Sequence, residues 1–383
     1  KGFAITGVKA YLNEDKKENA SLALLGELDA LRIPEHAFAN PETNAAHCCG
    51  HHAQMAGVFG AALALTVPEI AEKLDGQVVF FATPAEEYGE IEFKNQLREQ
   101  GKIRYGGGKC ELLRIGAFDD IDLCLTHHIR PGNEILVGSG TGNGFVSKVI
   151  RVLGKASHAA GAPEKGVNAL SAASLGLQAL GLNRETFRDE DCVRVHPIIT
   201  KGGNLVNVIP DEVVVETLVR GKTIEAFTDA AKKTDRSFKA GAIAMGAKVE
   251  ISTLPGYLPT LAEEALPELK HAAEISASGI PVIEASGHAG GSTDVGDVQH
   301  LMPVYTFNTG GVKGGLHQID FEVTDEEEAY IVTAKMFALA AYGLLKEKAQ
   351  RSRELVDQYE PVFKNSAEYV EFMEQFDSKE IFE

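Results

Sequence analysis

Positive charge is scarce in this chain. Its 383 residues include 37 lysines and arginines against 55 aspartates and glutamates, a formal charge of −18 at pH 7. That imbalance argues against nucleic acid or an anionic membrane as a partner, although a local basic cluster can still build an anion site. Cysteine is also sparse. Cys48, Cys49, Cys110, Cys124 and Cys192 are odd in number and scattered, which does not resemble a disulfide framework. A reducing, cytoplasmic setting is the expectation. No apolar run is long enough to cross a membrane, since Ala56 to Val67 is too short, and no signal peptide is visible. No phosphate-cradling loop is present either: Gly290 to Val298 is glycine-rich, but no lysine follows it and no GxGxxG spacing fits. The opening Lys1-Gly2-Phe3-Ala4-Ile5 reads as the start of a strand without a preceding helix, which suggests a missing N-terminal segment.

A chain this long exceeds one ordinary core, so two domains are expected. Its 44% hydrophobic and 24% charged content is that of a soluble globular protein. The densest chemistry lies in Ala46-His47-Cys48-Cys49-Gly50-His51-His52, with five soft or borderline metal ligands in six consecutive positions. In an extended or irregular backbone Cys49 and His51 point the same way, and Gly50 lets the chain approach an ion closely. Thiolate with imidazole suits zinc and other late divalent metals.

Three apolar runs read as strands buried on both faces of a parallel sheet. Leu22 to Gly26 leads into Glu27-Leu28-Asp29, and ligands of open α/β sheets gather at such strand ends, so Asp29 is a candidate supporting carboxylate. Val78 to Ala82 ends at Pro84-Ala85-Glu86-Glu87. Neighbouring side chains on a regular strand point oppositely, so one site uses both carboxylates only where the strand breaks down. The pair suits a division of labour between metal binding and proton transfer, whereas an acidic pair alone is usually a solvated loop. Ile121 to His128 is the third strand, and periodicity allows one of His127 and His128 into a site without choosing between them.

Between these segments, Gln54 to Thr66 reads as a helix. Ile91 to Tyr105 reads as an inserted surface excursion, followed by a flexible turn at Gly106-Gly107-Gly108. Glycines between Pro131 and Phe145 mark a domain boundary. Beyond it the expected order is strand Val146–Leu153, helix Asn168–Leu182, strands Val193–Thr200 and Glu212–Arg220, helix Thr223–Met245 and strand Lys248–Leu254. That βαββαβ order is ferredoxin-like. Strand Val304–Asn308, a flexible loop ending at His317, and a helix Asp325–Lys346 capped by Thr324 follow, with an acidic tail as a surface helix or partly ordered. The fold class expected is therefore α/β, a mainly parallel sheet flanked by helices with an inserted ferredoxin-like α+β domain. The boundaries expected are 1–142 and 256–383 for the catalytic domain and 143–255 for the insert.

Taken together, the motifs resemble the aminoacylase and auxin-conjugate amidohydrolase family of two-metal metallopeptidases, and within it the aminobenzoyl-glutamate hydrolase-like branch. Gly26 to Leu31, His47 to His51, Pro84 to Glu87, Asp122 to His128, Gly154 to Ala160, Asn207 to Asp211, Ser292 to Val298 and His317 stand in family order along almost the whole chain. The resemblance implies that Cys49, His51, Glu87, His128 and His317 ligate two divalent ions, zinc or manganese, with Glu86 as general base. It implies substrate contacts from His158, Asn207 and Arg220, and a homodimer formed through the insert, which also serves as a lid. The substrate class implied is an N-acyl or N-aroyl amino acid or small peptide, cleaved at its amide bond.

This chain departs from the family pattern at His52, where an acid is usual, at Cys48, and in the inserted Ile91 to Tyr105. Blander readings stand beside these. Cys48, Cys110, Cys124 and Cys192 read as small buried hydrophobes, and His36, His196, His271, His288 and His300 as surface or loop residues. Arg220 alone would be a solvated strand-end charge. Two other functions remain open: a cysteine hydrolase using Cys49 as nucleophile, and a catalytically silent binding protein of the same fold.

Overall fold

The computed structural model describes residues 2–277 and 279–383. The chain divides into two compact units. The first comprises Lys1–Thr141, Leu261–His288 and Asp294–Tyr369; the second comprises Gly142–Thr260, Ala289–Thr293 and Val370–Glu383.

The first unit is built on a seven-stranded sheet. Its centre is the parallel set Gln77–Thr83, Ser21–Glu27, Leu123–Ile129 and Val304–Thr309, in that spatial order. Val8–Leu12 closes one edge antiparallel to Gln77–Thr83. On the other side Ile135–Val137 runs antiparallel to Val304–Thr309, and Val282–Glu284 lies parallel to Ile135–Val137. The central strands are continuous apolar runs because both faces are covered; every residue of Ser21–Glu27 is buried.

On one face, Leu22, Leu24, Val78, Leu125 and Phe307 pack against helix His51–Leu65 and the long C-terminal helix. The stretch Glu327–Gln358 has the length and apolarity to cross a membrane. Met336, Phe337, Ala340, Ala341 and Leu344 are nevertheless fully buried in this core, as a core helix requires. It opens with a π turn, Glu327–Val332, and leaves helical geometry at residues 346–349.

The second unit carries the ferredoxin-like strand order. Gly144–Leu153 lies between Glu212–Gly221 and Lys248–Tyr257, antiparallel to both. Helices Ala169–Leu182 and Ile224–Met245 supply Ala172, Ala173, Phe238 and Ala242 to a core with Ile150, Val152, Val213 and Val215. Both helices are capped as their sequences suggest. The Asn168 side chain accepts the N–H groups of Leu170 and Ser171, and Thr223 Oγ1 accepts that of Ala226.

Several expectations need correction. Val193 to Thr200 is two short strands, Arg194–Val195 and Ile198–Lys201, split at Pro197, which has no N–H to give the ladder. The tail adds a strand, Ser378–Phe382, to the edge of Lys248–Tyr257, so residues 370–383 belong to the second unit rather than to the catalytic part. The first helix begins at His51 rather than Gln54. The helix expected from Asp325 is capped by Asp325, whose carboxylate accepts the Glu328 N–H; the Thr324 hydroxyl turns to the Gly311 carbonyl instead.

Residues 91–105 are only partly surface. Ile91–Glu99 is a helix, and Ile91 and Tyr105 are buried. Gly106 to Gly108 is no flexible turn: all three are buried, and a Cβ on Gly108 would sit 1.5 Å from the Pro84 carbonyl oxygen. Cys48, Cys110 and Cys124 are buried, but Cys192 is half-exposed. His36 and His300 are buried, each bonded through its ring to a main-chain carbonyl, of Phe321 and Gly296.

Candidate metal centre

The carboxyl ends of three parallel strands meet here. Ser21–Glu27 delivers Glu27 and, two residues on, Asp29. Gln77–Thr83 stops short of Glu86 and Glu87, and Leu123–Ile129 carries His128. After Thr83 the chain breaks at Ala85, whose φ of +53° is uncommon for a residue with a side chain. That break lets both carboxylates serve one site. Helix His51–Leu65 enters through Gly50 at φ +85°, where a Cβ would lie 2.1 Å from Ile129 Cγ2. Only glycine meets both demands. His317 also has positive φ, +65°, and its N–H donates to the Cys48 carbonyl at 2.8 Å.

Five side chains converge in two groups that share Cys49. Cys49, His51 and His128 form one; Cys49, Glu87 and His317 form the other, with donor atoms in each within 4.8 Å of one another. Cys49 Sγ is 3.4 Å from His128 Nε2 and 3.2 Å from His317 Nε2, and Glu87 Oε1 is 3.0 Å from His317 Nε2. His51, Glu86 and Glu87 make a third such group.

The remaining ring nitrogens fix the tautomers. His51 Nδ1 faces the Asp29 carbonyl at 3.0 Å and His128 Nδ1 the Ile129 carbonyl at 2.8 Å. A carbonyl only accepts, so each Nδ1 donates and each Nε2 can offer a lone pair to an ion. His127 points elsewhere. Its Nε2 is 2.8 Å from Thr309 Oγ1, and its ring packs on Phe307 and Phe337.

The donor set fits divalent metal. Among the described residues, Glu87 Oε1 and His51 Nε2 are buried without a hydrogen-bond partner, although each lies close to another candidate ligand or carboxylate. Such crowding of misaligned donors is what an ion resolves. In its absence, burial pushes the His51 ring down, but the charge of Glu27 and the hydrogen bond to Asp29 carry it far above the usual histidine range. Burial pushes the Cys49 thiol up to about 12, Glu87 and Glu86 adding to the effect and His51 opposing it. Metal would therefore enter by displacing protons from both.

Asp29 supports the site as its position suggested. Its Oδ2 accepts the Glu87 N–H at 2.8 Å, and Oδ1 lies 3.3 Å from His51 Nδ1. Burial alone would raise this carboxyl, but the hydrogen bond and charge of His51 outweigh it and bring it to about 2. Glu86 is pushed well above the usual carboxylate range by burial and by the charges of Glu27 and Asp294, against the opposing charge of Lys109.

Sequence reasoning assigned no role to Lys109, Glu27 or Asp294, which form a buried ion cluster here. Lys109 Nζ is 2.5 Å from Glu27 Oε1 and 2.6 Å from Asp294 Oδ1, and Glu27 Oε2 is 3.2 Å from His51 Nε2. A carboxylate closing an otherwise apolar strand was the available signal for Glu27; nothing local marked Lys109. His52 packs on His47 and Tyr330 at ring separations of 5.5 and 6.0 Å, and burial with the neighbouring His47 and His51 lowers it to about 4.

His158, Asn207 and Arg220 lie in the second unit. His158 and Asn207 are exposed, with His158 Nδ1 accepting the Gly161 N–H at 2.9 Å. Arg220 is half-buried, with a hydrogen bond to Ser292 Oγ at 2.7 Å and its guanidinium 5.3 Å from the Phe145 ring centroid.

Residues 23–342 match the sequence profile of Peptidase family M20/M25/M40. The Xaa-Arg dipeptidase of Mus musculus is 28% identical over 311 residues, covering 79% of this chain and 64% of that protein. The N-acetylcysteine deacetylase of Bacillus subtilis is 26% identical over 356 residues, covering 89% of this chain and 86% of that protein. Among solved structures, a dinuclear metal binding peptidase of the M20 family from Bacillus subtilis superposes with a TM-score of 0.59 at 24% identity, covering 89% of this chain and 85% of it. This likeness shows the fold. The chain spans just under two thirds of the length of the mouse and human Xaa-Arg dipeptidases.

Proposed function

The chain belongs to Peptidase family M20/M25/M40, and on that premise we propose that it is a metal-dependent amidohydrolase of N-acyl or N-aroyl amino acids or small peptides. One observation carries the reading: two groups of metal-ligating side chains share Cys49 beside the adjacent carboxylates Glu86 and Glu87. Cys49, His51, Glu87, His128 and His317 would hold two divalent ions. Such ions supply Lewis acidity, acidifying water and polarising a carbonyl.

The chain's own residues do the rest. Glu86, grouped with His51 and Glu87, takes the proton of the attacking water and returns it to the departing amine. His158, whose Nδ1 accepts the Gly161 N–H, is the donor we assign, on family position, to the oxyanion of the tetrahedral intermediate. Arg220 and Asn207 hold the substrate carboxylate.

A single thiolate favours zinc, while the imidazole and carboxylate ligands tolerate manganese. Cys49 as a ligand needs a reduced thiol, in keeping with a cytoplasmic location. A homodimer through the inserted domain is part of the proposal. Ile198–Lys201 lies at a sheet edge, and Ile198 and Ile199 on it are 60% and 43% exposed, apolar surface that a second copy would cover.

A cysteine nucleophile at Cys49 is the weaker reading, because a thiol near 12 is almost wholly protonated at neutral pH. The test of the mechanism is Glu86→Ala. Metal content and fold should persist while turnover falls by roughly two to four orders of magnitude. A variant keeping most of its activity would remove Glu86 from the mechanism.

A further inference from the structure

The segment between the two site carboxylates and the glycine run returns to the site. Its helix, Ile91–Glu99, is seated by buried Ile91, and the segment's far end is anchored by Tyr105, whose ring meets Tyr369 edge-on at 6.4 Å. From the first turn of this helix Lys94 reaches back, and its Nζ donates to the main-chain carbonyl of Glu87 at 2.6 Å. The ammonium also lies 4.9 Å from the centroid of the Tyr88 ring, an attractive geometry for a cation. Its hydrogen bond goes to a neutral carbonyl rather than a carboxylate. Burial pushes the ammonium below its ordinary range, while Asp29, Asp294, Glu86 and Glu87 push back.

Glu87 is thus held from both sides. Its N–H donates to the Asp29 carboxylate at 2.8 Å, and its carbonyl accepts from Lys94. These two contacts pin the peptide groups flanking its Cα, two residues after Ala85 with its positive φ. A side chain on a pinned backbone has few ways to swing, and partners that orient a metal ligand govern affinity almost as strongly as the ligand does.

We propose that Lys94 is a positioning residue: the inserted helix uses it to brace Glu87, and so sets the affinity of the ion held by Glu87, Cys49 and His317. The inference rests on the two-metal reading given above. It assigns the helix a task within the metal centre.

The test is a zinc titration of the chelator-stripped protein against a chromophoric competitor, for wild type, Lys94→Met and Lys94→Arg. Lys94→Met should weaken one of the two ions by roughly 10- to 100-fold. The other ion should bind as in wild type, and the metal-free unfolding temperature should stay close to the parent's. Lys94→Arg, which keeps a charged donor, should restore most of the loss. Unchanged affinity for both ions in Lys94→Met would overturn the brace. So would an equal loss at both sites together with a lower metal-free unfolding temperature, since that describes a contact serving the fold alone. Should Lys94→Met not fold, Lys94→Gln is read against the same outcomes. Wild type that binds no zinc would sink the metal-centre reading itself, which is distinct from a wild type with two ions and an indifferent Lys94.

Discussion

Lys109 is fully buried, and one ammonium serves two carboxylates, Glu27 at 2.5 Å and Asp294 at 2.6 Å; its own N–H also donates to Asp294 at 2.7 Å. Lys109→Met keeps the stem and removes the charge. Deleting one partner of a buried ion pair costs about 3–5 kcal/mol. Proton uptake gives the same magnitude. The orphaned pair must take up a proton, and holding one on a carboxyl at pH 7, about three units above its ordinary value, costs about 4 kcal/mol. That uptake also sets the pH dependence. A carboxyl whose folded-state value is raised gives stability that is present at low pH and lost as pH rises. The deficit of Lys109→Met should therefore shrink from about 4 kcal/mol at pH 7 to roughly 1–2 kcal/mol at pH 5. The chain has no tryptophan, so urea unfolding of metal-free protein is best followed by far-UV circular dichroism. A loss below about 1 kcal/mol at pH 7, or a deficit that grows on acidification, would refute the reasoning.

Two other predictions concern the first unit. Gly108→Ala puts a methyl 1.5 Å from the Pro84 carbonyl, a main-chain atom that cannot yield locally, so thermal unfolding should show a loss of about 3 kcal/mol or more; near-neutral stability would mean the turn before Glu86 is pliable. Burial raises Glu263 from its ordinary 4.5 to about 8, against hydrogen bonds from Thr306, Gln299 and Ser139. The folded protein keeps this proton between those values while the unfolded chain releases it, so stability falls as pH rises through that window, by at most about 5 kcal/mol. Glu263→Gln should flatten that slope in urea unfolding between pH 5 and pH 9, and an unchanged slope would show that Glu263 is not its source.

The central strands were legible because parallel strands covered on both faces are uninterrupted apolar runs, as Leu22 to Leu25 and Val78 to Phe81 are. The strand Ser378–Phe382 was not legible. Two of its five residues are charged, and its place is decided by pairing with Lys248–Tyr257, more than a hundred residues away. Asp325 and Thr324 are both competent helix caps, and which of them acts depends on the Gly311 carbonyl that draws Thr324 off.

At the site, the choice between His127 and His128 lay beyond periodicity because the strand persists through both. The structure turns His127 towards Thr309, Phe307 and Phe337, and His128 towards Cys49. Lys109 gave no local sign, since a lysine after three glycines reads as solvated until the buried carboxylates of Glu27 and Asp294 are placed around it. Lys94 escaped notice for a similar reason. Its partner is a main-chain carbonyl, which no sequence pattern marks.

Everything proposed for catalysis depends on Cys49, His51, Glu87, His128 and His317 holding two ions. Elemental analysis after expression in rich medium and extensive dialysis tests this most directly. The expected result is about two divalent ions per chain, zinc or manganese. No bound metal, and none regained on adding either ion, would contradict it.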